Sequence, residues 1–145
     1  MLSRIKFAAL ALFAASVFLY TGAAQAQDKD AKVLAKGDFH KADKTGKGTA
    51  TVYQIKDGKR VLRLTDFETE NGPDLHVRLI AADDAKDTDS VKKAEFVELA
   101  KLKGNKGNQN YDLPADLDLS KYKVVSIWCN RFSVNFAAAP LTVEK

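Results

Sequence analysis

The sequence predicts an all-β fold, an antiparallel β-sandwich or barrel-like single domain that follows a cleaved signal peptide. Three observations predict this fold. Short segments with an apolar residue at every second position recur from Lys36 onward, which is the pattern of half-buried strands. Glycine, asparagine and aspartate separate the segments, as turns require. The 145 residues include one cysteine, so a hydrophobic core and not a set of disulfides must hold the domain together.

The N-terminus has the three parts of a secretory signal peptide. Arg4 and Lys6 are basic, residues 7–20 are uncharged and mostly apolar, and Ala24 and Ala26 form a small-residue cleavage pattern. The alternative is a transmembrane anchor, but an apolar run of 14 residues is short of the roughly 20 that span a bilayer. We therefore expect cleavage near Ala26, with residues 1–26 as the signal peptide and a secreted or periplasmic product.

After cleavage, residues 27–35 are polar and predict a flexible N-terminal segment, and residues 36–145 form the β domain. The leader carries two basic residues and no acidic one, so the net charge falls from +4 to +2 on cleavage. A domain so close to neutral lacks the basic footprint of a nucleic-acid-binding protein. We expect no nucleic-acid partner and no membrane span in the mature form.

The first hairpin is predicted by Asp57 and Gly58, which separate the alternating runs 52–56 and 61–64; such a pair tolerates the positive φ of a tight turn. Residues 75–79 form the next strand, with His76 on the face opposite its apolar neighbours and therefore at the surface. The charged run 83–95 fits a loop or a short surface helix, and residues 94–102 fit a short helix or a strand. Residues 122–129 and 132–136 predict two further strands.

The segment around Cys129 changes its alternation. Apolar residues occupy odd positions up to Cys129 and even positions from Phe132, so the chain contains either a turn or a bulge between them. A two-residue loop at Asn130 and Arg131 would pair Cys129 with Phe132 and leave Trp128 on the opposite face. Either geometry places Cys129 on the side of the core.

Two interpretations of Cys129 follow from this pattern. A free cysteine on a core face commonly behaves as a small, inert hydrophobe. A thiol at the end of a strand beside Arg131 could instead be partly exposed, with the guanidinium stabilising its thiolate. Cys129 is therefore the candidate redox thiol, and Arg131 is the candidate stabiliser of its charged form.

The sequence resembles the DM-13 (DM13) domain family, which has been proposed to transfer electrons. The resemblance implies a β-sandwich-like domain whose signature cysteine, matching Cys129, acts as a free redox thiol or as a ligand to a group such as haem. Trp128 and Phe132 flank Cys129 and are candidate contacts for such a group. The stretches that carry the resemblance are 37–39, 61–67, 71–79, 102–111 and 127–132.

Other candidate sites are weaker. His40 and His76 are the only imidazoles and are weak metal candidates, and no C-x-x-C-H pattern supports covalent haem attachment. Asp74, Gln109 and Tyr111 lie in turn-rich segments and are candidate ligand contacts.

Three functional hypotheses remain open from the sequence alone. The first is a redox accessory module that works with an unidentified redox partner or envelope protein. The second is a non-catalytic binding module with a structural cysteine, and the third is dimerisation through Cys129. No hydrolase or transferase pattern is present, so the sequence leaves open whether the protein is an enzyme.

Overall fold

The computed structural model of the protein describes residues 31–145, and the predicted signal peptide lies outside them. The described residues form two five-stranded antiparallel sheets, with strand orders β10-β1-β3-β4-β7 (sheet A) and β2-β9-β8-β5-β6 (sheet B). The all-β prediction is confirmed, and the sheets form an open sandwich and not a closed barrel. The elements are β1 Lys32–Asp38, β2 His40–Lys41, β3 Gly46–Gln54, β4 Arg60–Thr69, β5 Leu75–Ile80, α1 Thr88–Lys92, β6 Phe96–Lys101, β7 Gln109–Leu113, β8 Val124–Cys129, β9 Val134–Pro140 and β10 Thr142–Val143.

Strand β1 begins at Lys32, inside the segment for which the polar sequence predicted a flexible chain. It is held on both sides, by β3 and by β10, so its backbone groups are paired. Among residues 31–145, no helix is long and apolar enough to cross a membrane.

Sheet A follows the alternation that the sequence predicted. Gly58 has a φ of 84° in the turn between β3 and β4, and the Ile55 amide donates to the Lys59 carbonyl across it at 2.8 Å. Val52, Leu62 and Leu64 point into the core and are fully buried, whereas most of their neighbours on the outer face are partly exposed.

The central strands β8 and β9 of sheet B are buried on both faces, because residues 81–95 cross the outer surface of the sheet; we call this segment the strap. Ala85 and Val91 of the strap pack against the outer-face residues Ile80, Val124 and Trp128. Helix α1 lies within the strap, and Asp87 caps it by accepting a hydrogen bond from the Ser90 amide at 2.8 Å. The region predicted as helix or strand at 94–102 is strand β6, which pairs with β5.

The hairpin between β8 and β9 differs from the predicted two-residue loop. Cys129 pairs with Val134 and not with Phe132, so the loop contains four residues, and its last, Ser133, has a φ of 52°. The register then shifts, which leaves Phe136 as an extra residue. The change of alternation therefore arises from a longer loop and a bulge together. Arg131 is a poor residue for the tight primed turn that the shorter loop needs, and four-residue loops are a common alternative.

Candidate functional site

Cys129 is the last residue of β8, and its side chain is completely buried in the core between the two sheets. Its neighbours across the ladder are Leu75 of β5 and Val134 of β9. The prediction that Cys129 faces the core is confirmed. In this position the thiol lies among apolar side chains, where thiols react slowly until the structure opens.

Leu75, the β5 neighbour of Cys129 across the ladder, lies at the edge of the core beside a surface cleft. Its side chain is 8% exposed and lines an open cleft of about 280 Å³, whereas Cys129 does not line that cleft. Gly72 brings the β4–β5 turn close over Leu75, since a Cβ at this position would lie 2.7 Å from Leu75 Cδ2 and 3.0 Å from Phe136 Cε2. One leucine and a closely packed turn thus cover the thiol on this side. The cleft is lined by Asn71, Gly72, Pro73, Asp74, Leu75, Lys101, Leu102, Gly104 and Asn105.

The residues that flank Cys129 in the sequence face other environments. Arg131 and Phe132 lie in the β8–β9 loop and are exposed, Phe132 to 58% of its surface. Trp128 points to the outer face of sheet B, where the Arg78 guanidinium lies 5.2 Å from its ring centroid and 4.0 Å from that of Phe96. The structure therefore does not bring Trp128 or Phe132 together with the sulfur around one cavity.

His76 is on the face opposite the core, as predicted, but it is buried and not at the surface. Its Nε2 atom lies 2.8 Å from Asp74 Oδ1. Its Nδ1 atom lies 3.0 Å from Glu98 Oε1 without the alignment of a hydrogen bond. The strands on either side of β5 and the side chains of Asp74 and Glu98 surround His76, which the alternation of β5 alone could not reveal.

Arg78 and Asn130 complete a polar network that sequence reasoning did not identify. Arg78 Nη2 donates to Asn130 Oδ1 at 2.9 Å, and the Asn130 amide donates to the Asp74 carbonyl at the same distance. The β8–β9 loop is thereby fixed to the start of β5, immediately above Leu75 and Cys129. Asn130 directly follows the cysteine in sequence, which is the one signal that could have drawn attention to it.

Gln109 and Tyr111 hold the loop between β6 and β7 from behind, and neither lines the cleft. The Tyr111 hydroxyl accepts a hydrogen bond from the Lys103 amide at 2.8 Å and donates to the Gln109 side chain. Gln109 Nε2 donates to the Gly104 carbonyl at 2.9 Å. Burial raises the pKa of Tyr111, although the bond from Lys103 opposes this, so the phenol stays a neutral donor. Of the three loop candidates, only Asp74 reaches the cleft.

His40 lies in β2, which is one edge strand of sheet B. His76 lies in β5, which is next to the opposite edge strand, β6. Its Nε2 atom lies 2.6 Å from Asp84 Oδ1 of the strap. Burial acts to lower the pKa of His40, but the bonds to the Lys41 carbonyl and the Asp84 carboxylate outweigh it and raise the pKa. The two imidazoles therefore have separate partners. Within residues 31–145, no three His, Cys, Asp or Glu side chains are grouped so that they could hold a metal ion.

The residues around Cys129 do not fit haem. A thiolate ligand needs a planar apolar slot at the sulfur, but the sulfur is enclosed by core side chains and the nearby cleft is lined largely by polar groups. The His76 ring is bonded to Asp74 on the other face of the sheet and cannot act as a second axial ligand there.

Comparisons with known proteins provide the family. No curated protein and no solved structure matches the chain. The family model described as electron transfer DM13 matches residues 38–141. The match includes β2 to β9, the strap, the cleft and Cys129, so the chain belongs to the DM13 electron-transfer family.

Proposed function

We propose that this protein is an exported electron-transfer module whose redox group is the Cys129 thiol, with electrons passing to and from a second protein. Membership of an electron-transfer family supports the class of function. The observation that carries the assignment to Cys129 is its position behind Leu75, the one ladder neighbour that also lines the cleft. A small outward movement of that side chain would join the sulfur to solvent.

The proposed step transfers one electron. The sulfur of Cys129 gives an electron to an oxidised one-electron centre of the partner, and the thiol proton goes to water that enters when Leu75 moves. The thiyl radical is then reduced by an electron from a reduced donor protein and takes up a proton. The thiol is restored, and one electron has passed from donor to acceptor with no net change in the module.

The test is the rate at which a maleimide labels the native protein. Leu75→Ala removes the side chain proposed to cover Cys129. If this lowers the free energy of the local opening that exposes the thiol by about 1.4 kcal/mol, the labelling rate should rise about tenfold. Leu79→Ala is the matched control, since it truncates a fully buried leucine four residues along the same strand and away from the cleft. The labelling rate of Leu79→Ala should rise only by the factor that its measured loss of unfolding free energy predicts.

Transfer itself is measured by oxidising the native protein with a one-electron oxidant and recording the thiyl-derived products by mass spectrometry. The wild type should be modified at Cys129, faster in Leu75→Ala, and Cys129→Ser should give no such product. A thiol that is neither labelled nor oxidised until the protein unfolds, in the wild type and in Leu75→Ala alike, would eliminate the proposal.

The complete burial of Cys129 favours one alternative, a binding module in which the cysteine is only part of the core. In that case Cys129→Ala or Cys129→Val would leave every function intact. The two functions are distinguished by the oxidation experiment, because a purely structural cysteine gives no thiyl-derived product while the protein stays folded.

Export is part of the proposal and has its own test. Expression of the full chain with its own N-terminus, followed by mass spectrometry of the extracytoplasmic fraction, should give a product that begins at Gln27. A product that keeps residues 1–26 or stays in the cytoplasm would contradict it.

A further inference from the structure

We infer that one end of the sandwich is a docking face for the acidic surface of a redox partner; this rests on the function proposed above. The face comprises Lys101, Lys103, Arg131 and Phe132, and we call it the docking end. Phe132 is the most exposed large apolar side chain among residues 31–145, and it lies three residues after Cys129. An exposed aromatic residue next to an arginine is a typical composition for a protein interface.

Main-chain hydrogen bonds bring the three loops of the docking end together. The Asn130 amide donates to the Asp74 carbonyl at 2.9 Å, which attaches the loop that carries Arg131 and Phe132 to the turn beside Leu75. On the other side of that turn, the Leu102 amide donates to the Leu75 carbonyl at 2.8 Å. The cleft lies between the turn and the lysine-bearing loop, so a partner seated here would lie directly above the cover of Cys129.

The charges at the docking end are unevenly distributed. No acidic residue occurs between Leu99 and Tyr111 or between Leu119 and Val143, and Lys101, Lys103 and Arg131 are all exposed. Lys103 is also held in place, since its amine donates to the Asn110 carbonyl and lies 5.1 Å from the centre of the Tyr111 ring. Lys103 therefore has a fixed position at the docking end, where Lys101 and Arg131 are further exposed cations.

The acidic groups at this end are engaged with the protein itself. Asp74 Oδ1 is 2.8 Å from the His76 ring, and Glu70 accepts a hydrogen bond from the Thr45 amide at 3.0 Å. Lys106 lies opposite Glu68 on an isolated bridge, so we leave it out of the face. These hydrogen bonds do not neutralise the two carboxylates, so the positive charge that a partner meets is the charge local to Lys101, Lys103 and Arg131; complementary charge steers transient redox encounters, whose interfaces are small.

The experiment titrates the isotopically labelled protein with a synthetic peptide that has acidic residues on both sides of a central tyrosine, and follows backbone NMR shifts. Shifts should be concentrated in residues 101–106 and 130–133. They should weaken as salt rises from about 50 mM to about 500 mM, because exposed charges are screened. A peptide with glutamine in place of its acidic residues should give no saturable shift.

Two charge-matched double variants test the location. Lys103→Glu with Arg131→Glu should weaken binding about tenfold or more, and Lys56→Glu with Lys59→Glu, at the opposite end of the sandwich, should change it less than about twofold. Phe132→Ser should weaken binding about threefold. Equal effects of the two double variants on peptide binding, or NMR shifts spread over the whole surface, would contradict the proposal that the peptide binds at the docking end.

Failure of this inference is distinct from failure of the proposed function. Cys129→Ser should bind the acidic peptide as the wild type does, because the thiol lies beneath the face and not in it. An inert thiol combined with localised binding would remove the electron-transfer step and leave the docking end standing. Loss of binding in Cys129→Ser, with the fold intact by circular dichroism, would contradict the geometry inferred here.

Discussion

The outer faces of the two sheets are built on the same alternation but have opposite environments. On the outer face of sheet A, residues such as Tyr53 of β3 and Arg63 of β4 are partly exposed to water. On sheet B, Val124, Ser126 and Asn135 are completely buried by the strap. An alternation of apolar and polar residues with a period of two therefore shows which residues point to opposite faces of a strand. Whether the second face is exposed to solvent depends on whether another part of the chain covers it.

This difference changes the role of polar residues on the two faces. Asn135 is buried under the strap, and its side chain is fully used: Oδ1 accepts from Ser126 Oγ at 2.9 Å, and Nδ2 donates to the Ala85 carbonyl at 3.2 Å. Its backbone amide donates to Thr88 Oγ1 at 3.0 Å. A buried polar group is tolerated only when it is satisfied, so Asn135 also fixes the position of the strap.

The largest expected effect comes from removing an aromatic ring on each outer face. Trp128→Ala leaves a cavity between sheet B and the strap and should lower the free energy of unfolding by about 3–5 kcal/mol. Tyr53→Ala, on the half-exposed face of sheet A, should cost about 1 kcal/mol or less. Urea denaturation of both variants measures the contrast. Equal losses would mean that the strap does not bury Trp128 in solution.

The second comparison uses two asparagines. Asn135→Ala leaves the Ala85 carbonyl and the Ser126 hydroxyl without their partner and should cost about 1–3 kcal/mol. Asn110→Ala removes a bond at 3.3 Å from Arg63 on the partly exposed face of sheet A, where water can replace it, and should cost about 0.5 kcal/mol or less. Hydrogen exchange adds a local readout, because only Asn135→Ala should speed exchange across the strap. Unchanged protection there would show that Asn135 does not anchor it.

The smallest expected effect is the pH dependence of the bond between His40 and Asp84, which attaches the strap to β2. Burial acts to raise the pKa of Asp84, but the bonds from His40 and the Ala85 amide lower it on balance; the pKa of His40 is raised. The contribution of Asp84 to the stability of the fold is present above pH 3.8, the usual pKa of an aspartate, and is lost as pH falls through the lowered pKa of Asp84. The contribution of His40 to stability is complete below pH 6.5, the usual pKa of a histidine, and is lost as pH rises through the raised pKa of His40.

The pair should therefore stabilise the strap most between about pH 4 and pH 6.5, by about 1 kcal/mol or less because both groups are partly exposed. His40→Gln should flatten the decline of stability from about pH 6.5 to pH 8, as measured by urea midpoints at a series of pH values. A decline of the same size in this variant would assign the titration to another group. Asp84→Asn serves as the control for the acidic side of the window.

Much of the fold and the candidate site could be read from local patterns. The hairpin at Asp57 and Gly58 and the inward direction of Cys129 follow from residue types and a period of two, which neighbouring strands cannot reverse. The four-residue loop before Val134 and the bulge at Phe136 could not be predicted, because several loop lengths accommodate the same change of alternation. The choice between them depends on the packing of Phe136 in the core.

By itself, then, the sequence determined the class of fold, the family resemblance and the side of the sheet on which Cys129 lies, since these depend on local chemistry and spacing. Only the tertiary structure decided how far the thiol lies from solvent, which residue covers it and which loops meet above it. Burial is a property of contacts between segments distant in sequence, and here Leu75 and Gly72 supply those contacts around Cys129.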